Sequence, residues 1–119
     1  MSSHYTPICR ISEWEIRRLF NEGRFYERVL EEGLTAVVKA ERPATIESPN
    51  IPAGSKSQEV FYYDKDGNEV ARVHQFVKPD GTIGASGKPD PKRLCIGGIT
   101  YRIIKGGTPT ESSGEKDQP

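Results

Sequence analysis

The sequence has no excess of charge of either sign: 17 Lys and Arg residues balance 17 Asp and Glu residues, for a formal net charge of +0 at pH 7. The balance argues against tight, sequence-independent binding to nucleic acid or to an anionic membrane, because both depend on surplus Lys and Arg. No apolar run approaches the roughly 18 residues that a membrane-spanning helix needs. We therefore expect neither DNA nor a membrane among the partners, whereas a local basic patch is still compatible with an anionic ligand.

Cysteine is scarce as well. Cys9 and Cys95 lie far apart and form no C-x-x-C pair of the redox or zinc kind. A zinc site would also need His4 and His74, and these four residues lack the close ligand spacing of metal sites. We predict reduced thiols, no metal and no cofactor. The first residues lack the basic and apolar segments of a signal peptide, so the expected location is the cytoplasm.

The chain length of 119 residues fits one domain, because a single core usually takes about 100–200 residues. From Lys105 onward the sequence has nothing apolar to bury, which is typical of disorder. We predict a single α+β domain over residues 8–104 and a disordered C-terminal tail over residues 105–119.

The clearest local pattern is a helix start at Ser12. Ser12 and Glu15 have the spacing of a capping box, in which each side chain accepts a hydrogen bond from the backbone N–H of the other residue. Gly23 is expected to end this helix in the left-handed conformation that glycine adopts easily. An apolar cluster over residues 25–30, ended by Gly33, favours a second short helix, with a strand as the alternative.

Two hairpins dominate the rest of the chain. Residues 58–77 hold two β-rich runs on either side of Asp66-Gly67, a pair typical of hairpin turns. A two-residue turn and a three-residue turn with a bulge would pair these runs one residue apart, and the sequence leaves both open. A second hairpin turns at Gly97-Gly98, which places Arg93 and Arg102 on the face away from the core.

One further strand is predicted over the β-branched residues 34–40, whereas residues 43–57 and 82–93 are rich in Pro, Gly and Ser and predict loops. The predicted fold is α+β, with one or two N-terminal helices packed on an antiparallel sheet of four or five strands built from two hairpins. The strand order stays open.

A catalytic set is predicted on the central hairpin. In the register of a two-residue turn, Glu59 faces His74 directly and Arg72 lies on the same face. A carboxylate, an imidazole and a guanidinium are the groups that cleave RNA through its own 2′-hydroxyl, as base, acid and phosphate clamp. The alternative is a solvated sheet face with an ordinary cross-strand charge pair.

A second set is predicted to bind an anion. The glycine-rich segment before Lys88 is one residue too long for a phosphate-binding loop, and Pro89 replaces the residue that would reach magnesium. A simpler anion site remains, made of backbone N–H groups with Lys88, Lys92, Arg93 and Arg102. The alternative is a glycine-rich connector.

An aromatic partner surface is predicted because the central strands are apolar on both faces, which is more than one core can cover. Its residues are Trp14, Phe61, Tyr63 and Phe76. Burial of Trp14 against the sheet is the alternative.

Since no closed catalytic set is evident, the first functional hypothesis is a small non-enzymatic bacterial interaction module. It would bind a protein or a small anionic ligand through the sheet face and the loops 43–57 and 82–93. The alternative is a metal-independent, toxin-like endoribonuclease with Glu59 or Glu69 as base, His74 as acid and arginines on the phosphate.

The order of elements resembles that of small microbial ribonucleases and ribosome-targeting toxins, a resemblance that implies a shared architecture. RNA is therefore kept as a partner, and the oligomeric state stays open.

Overall fold

The computed structural model describes residues 7–104. Two short helices lie between the first and second of six strands. In chain order the elements are β1 (Ile8–Ile11), α1 (Glu13–Glu22), α2 (Phe25–Leu30), β2 (Thr35–Pro43), β3 (Lys56–Tyr63), β4 (Glu69–Val77), β5 (Asp90–Ile96) and β6 (Ile99–Ile103). Within these residues no helix has the length and apolar character needed to cross a membrane. The predicted tail, residues 105–119, lies outside the described residues.

The strands form one mixed sheet in the order β1-β6-β5-β4-β3-β2. β1 runs parallel to β6, and all other neighbouring pairs are antiparallel. The predicted α+β class is confirmed. The prediction of four or five antiparallel strands from two hairpins is wrong in detail, because the sheet has six strands and one parallel pair. The missed strand, β1, is short and pairs with the last strand of the chain, a contact that local periodicity does not reveal.

Helix α1 begins after Ser12, as predicted, and the Glu15 N–H donates to Ser12 Oγ over 3.1 Å. The predicted left-handed conformation is wrong for Gly23, which has φ −80°, because the next residue, Arg24, adopts it instead with φ 53°. Gly23 is needed for space, since a Cβ there would lie 2.5 Å from the Phe25 ring. The second apolar cluster forms a helix rather than a strand.

The central hairpin combines features of both predicted turns. At its tip, residues 64–68 close through backbone hydrogen bonds of 2.9 and 3.0 Å, and Gly67 has φ +82°. The register then shifts, so that Val70 is an extra residue in β4. Beyond this bulge the register is the one that a two-residue turn would give. Glu59 therefore lies directly opposite His74.

One face of the sheet, which we call the helix face, packs against α1 and α2. The buried core consists of Ile16, Phe20, Phe25, Leu34, Val60, Tyr62, Ala71, Val73 and Leu94. Leu94 has 0% exposure, and full burial of a leucine stabilises a fold by about 1.5–3 kcal/mol. Because side chains alternate along a strand, the residues on either side of Leu94 point to the opposite face.

The predicted loops pack against each other at one end of the sheet. The Ala85 N–H donates to the Asn50 carbonyl over 2.9 Å, and a Cβ on Gly84 would lie 2.6 Å from the same oxygen. The predicted loop over residues 43–57 is wrong at both ends, because Pro43 belongs to β2 and Lys56 and Ser57 belong to β3. The predicted loop over residues 82–93 is wrong at its C-terminal end, which belongs to β5. Pro91 enters this strand beside a register shift, where proline is tolerated.

Candidate functional site

Four arginines lie side by side on the face of the sheet opposite the helices. Arg10 is paired with Arg102 across β1 and β6, Arg102 with Arg93 across β6 and β5, and Arg93 with Arg72 across β5 and β4. We call this set the arginine row, and the face that carries it the arginine face. Arg93 directly precedes the fully buried Leu94, so the alternation of side chains points the row away from the core.

The arginine row is mostly without acidic partners. Arg72 donates from Nε and Nη2 to the Glu69 carboxylate, and this hydrogen-bonded partner raises the pKa of Arg72. Among residues 7–104 the other three arginines form no ion pair. Like charges directly opposite each other destabilise a sheet. The row therefore favours an anion from outside the described part of the chain.

An open depression of about 750 Å³ lies over three members of the row, Arg72, Arg93 and Arg102. Its lining includes the predicted catalytic trio and two more arginines: Glu59, Arg72, His74, Arg93 and Arg102. Two further cations, Arg42 and Lys92, line the same depression. Glu13 of α1 lines it as well. The structure thus brings together two carboxylates, an imidazole and several cations, which is a set that can bind a phosphate group and exchange protons beside it.

His74 is held in one orientation by its neighbours on the arginine face. Its Nε2 lies 2.6 Å from Ser57 Oγ, which is a hydrogen bond. Its ring meets the Phe76 ring edge to face, with 4.7 Å between the centroids. The imidazole plane is therefore fixed, and Nδ1 is the nitrogen that remains for other partners.

The charges around His74 favour its neutral form. Burial lowers the pKa of His74, and Lys92 and Arg42 lower it further. Asp90 and Glu59 act in the opposite direction, with smaller effect. Neutral imidazole can accept a proton or a hydrogen bond, and an arriving phosphate would favour the protonated form.

Asp90 ties the start of β5 to its surroundings. Burial by itself would raise the pKa of Asp90, but Lys92 at 2.9 Å and Arg17 at 3.1 Å hold it below its ordinary value. Lys92 thus already has an acidic partner. Of the predicted anion-binding residues, Arg93 and Arg102 are the ones that line the depression without an ion pair among residues 7–104.

The glycine-rich segment does not contribute to this site. The N–H groups of Gly84, Ala85 and Gly87 all donate to backbone carbonyl groups within the protein. Lys88 forms an ion pair with Glu27 of α2 at 3.3 Å. Lys88 and these N–H groups therefore do not join the arginine row, although the segment lines a second depression, of about 590 Å³, together with His74 and Phe76 of the arginine face.

The predicted aromatic surface is divided between the two faces of the sheet. Phe61 and Tyr63 lie on the arginine face, where Lys39 Nζ is 5.4 and 5.7 Å from their ring centroids. Phe76 lies beside His74 on the same face. Trp14, with 67% exposure, is on α1 and therefore does not join them.

Sequence reasoning missed three of the cations on this face. Arg10 was missed because strand β1 was not recognised. Arg42 was missed because β2 was predicted to end at residue 40. Lys39 was missed because a register shift lies between Val38 and Ala40. The turn at Gly97-Gly98 was a usable signal, since it already placed two arginines on one face.

No group of three or more His, Cys, Asp or Glu side chains within residues 7–104 is arranged to hold a metal ion. Cys9 is exposed, Cys95 is half-buried, and both are free thiols. The arginine face gathers charged side chains along one open depression. No protein-family model, no curated protein and no solved structure matches this chain.

Proposed function

We propose that this chain is a binding module whose arginine face takes a phosphate-bearing anionic ligand. The observation that carries the proposal is the arginine row, in which Arg10, Arg102, Arg93 and Arg72 occupy directly opposed positions on four neighbouring strands. Such an arrangement is unfavourable in the free protein. It becomes favourable when an anion lies over it, because guanidinium groups bind phosphate through paired hydrogen bonds.

The centre of the row is the strongest part of the proposed site. Arg93 has an arginine on each side and forms no ion pair within residues 7–104. A phosphate at this position is within reach of three guanidinium groups. Since the whole chain has a formal net charge of +0, affinity comes from this local patch and should fall as salt is added.

Calorimetric titration with inorganic tripolyphosphate tests the proposal. We expect Arg93→Gln to weaken binding about tenfold, the loss of one or two charge-assisted hydrogen bonds. The control is Arg24→Gln, which removes the same charge from an exposed arginine at the start of α2 that is paired with Glu31, and it should bind as the wild type does. Equal binding by the two variants would show that the row is not the site.

A second function, metal-independent cleavage of RNA, is favoured by one specific observation. Glu59 and His74 are direct cross-strand partners inside the cationic depression. The Glu59 carboxylate would accept the proton of a 2′-hydroxyl, whose oxygen attacks phosphorus. The 5′-oxygen would leave with a proton from protonated His74, giving a 2′,3′-cyclic phosphate and a 5′-hydroxyl. Arg93 and Arg102 would stabilise the extra negative charge on the phosphate.

Incubation with structured and unstructured RNA in EDTA tests this second function. If the chain has this second function, the wild type and Arg24→Gln should cleave the RNA, and Glu59→Gln and His74→Ala should not. New ends should carry cyclic phosphate. Cleavage that survives both substitutions would rule out this pair, and intact RNA with the wild type would leave binding alone as the function.

A further inference from the structure

We infer that the ligand of the arginine row is single-stranded RNA that crosses the strands and lays at least three successive phosphates along the row. This inference rests on the proposed function, because it names the ligand of the same site. It is carried by the length of the row, by the aromatic rings at its end and by the carboxylate beside it.

The row is too long for a single phosphate group. Neighbouring strands lie about 4.8 Å apart, so the four positions span about 14 Å. A small anion over Arg93 would leave Arg10 at the end of the row without a partner. A chain of phosphates can neutralise Arg10, Arg102 and Arg93 in turn, while Arg72 already has the Glu69 carboxylate, and it does so by crossing the strands rather than following one of them.

Aromatic rings continue the row where the arginines stop. Phe61 is the direct partner of Arg72 on β3, and the Arg72 guanidinium lies 4.3 Å from its ring centroid. Tyr63 follows on the same strand and face, with Lys39 against both rings. Because Arg72 and Lys39 both lie over the Phe61 ring, unpaired bases would stack on this layered group of cations and rings; guanidinium planes as well as aromatic rings accept them. A duplex keeps its bases inside and could not use this platform.

Glu59 distinguishes RNA from other polyanions. This exposed carboxylate lines the depression and forms no ion pair among the described residues. It would repel a phosphate or the carboxylates of an acidic peptide at its own position. It can accept a hydrogen bond from a hydroxyl group, and the 2′-hydroxyl is the group that RNA has and DNA lacks.

The inference is tested by fluorescence anisotropy of the full chain with a labelled, unstructured RNA of eight nucleotides, checked on a gel to stay intact. We expect the plot of log affinity against log salt to have a slope between about −2 and −3, as three or four phosphate contacts on a single strand require. Arg10→Gln should weaken binding about fivefold, reduce that slope by about 0.7, and leave binding of a dinucleotide unchanged. Arg93→Gln should weaken binding of both RNAs, and Arg24→Gln of neither.

Competition with unlabelled polymers separates this inference from the proposed function. DNA of the same sequence, an RNA duplex and polyglutamate should each compete at least fivefold less well than the RNA. Equal competition by DNA, or better competition by the duplex or by polyglutamate, would overturn the inference. If tripolyphosphate binds through Arg93 while the RNA binds no better, the inference fails and the proposed function stands. If no phosphate-bearing probe binds, both fail.

Discussion

The two faces of the sheet use their side chains in opposite ways. On the helix face, apolar residues such as Leu94 and Val73 are buried against two helices and stabilise the fold. On the arginine face, the direct neighbours Arg93 and Arg72 repel each other across the same pair of strands. Adjacent positions on one strand thus make contributions of opposite sign to stability. The burial of the core stabilises the fold by more than the repulsion between the arginines destabilises it. This arrangement is expected of a binding surface on a rigid element.

The largest expected effect comes from breaking the helix face. Leu94→Ala should lower the free energy of unfolding by about 2–5 kcal/mol, because it leaves a cavity in a fully buried position. Arg93→Gln, one residue earlier on the same strand, should lower it not at all. Chemical denaturation of both variants measures the contrast. Similar losses in the two variants would mean that both faces are packed.

A smaller change in the free energy of unfolding, of opposite sign, should follow when one arginine is removed from the arginine row. Arg93→Gln removes the like-charge contacts with Arg72 and Arg102, and should raise the free energy of unfolding by roughly 0.2–1 kcal/mol at low salt. The gain should shrink as salt screens the remaining charges. Denaturation curves at low and high salt check this, with Arg24→Gln as the exposed control.

A gain that does not depend on salt would point to packing rather than repulsion. A loss of stability in Arg93→Gln would show that this guanidinium has a favourable partner in the free protein. Either result would remove the argument that the row is arranged for an external anion.

The sequence predicted those parts of this contrast that depend on local signals. Ser12 marked the start of α1, and Gly97-Gly98 marked a turn that sets the faces of Arg93 and Arg102 correctly. These features involve residues within a few positions of each other, so propensity and turn chemistry are sufficient.

The rest depended on contacts between distant parts of the chain. Arg10 joins the row only because β1 pairs with β6, and no local turn records that pairing. The register that places Glu59 opposite His74 depends on the bulge at Val70, which compensates for the three-residue turn. A bulge changes the register by one residue, and a one-residue change exchanges the two faces of a strand. The residues of the central strands were therefore predictable one by one, whereas Arg10, Arg42 and the site as one surface were not.

The smallest expected effect concerns the protonation of His74, which tests whether burial and the nearby cations outweigh the acidic groups around it. Burial, with Lys92 and Arg42 nearby, lowers the pKa of His74 below its ordinary value of 6.5. The folded state therefore favours the neutral imidazole. This contribution to stability is complete above the unfolded pKa near 6.5 and is lost as the pH falls from there toward the lower pKa of the folded state.

An NMR titration of the imidazole measures the pKa of His74 directly. Because the chain has 2 histidines, the spectrum of His74→Ala identifies the signal. Saturating tripolyphosphate should raise the pKa of His74, since a bound phosphate stabilises the imidazolium. A pKa at or above 6.5 in the free protein would mean that acidic groups, and not the cations of the arginine face, control this part of the surface.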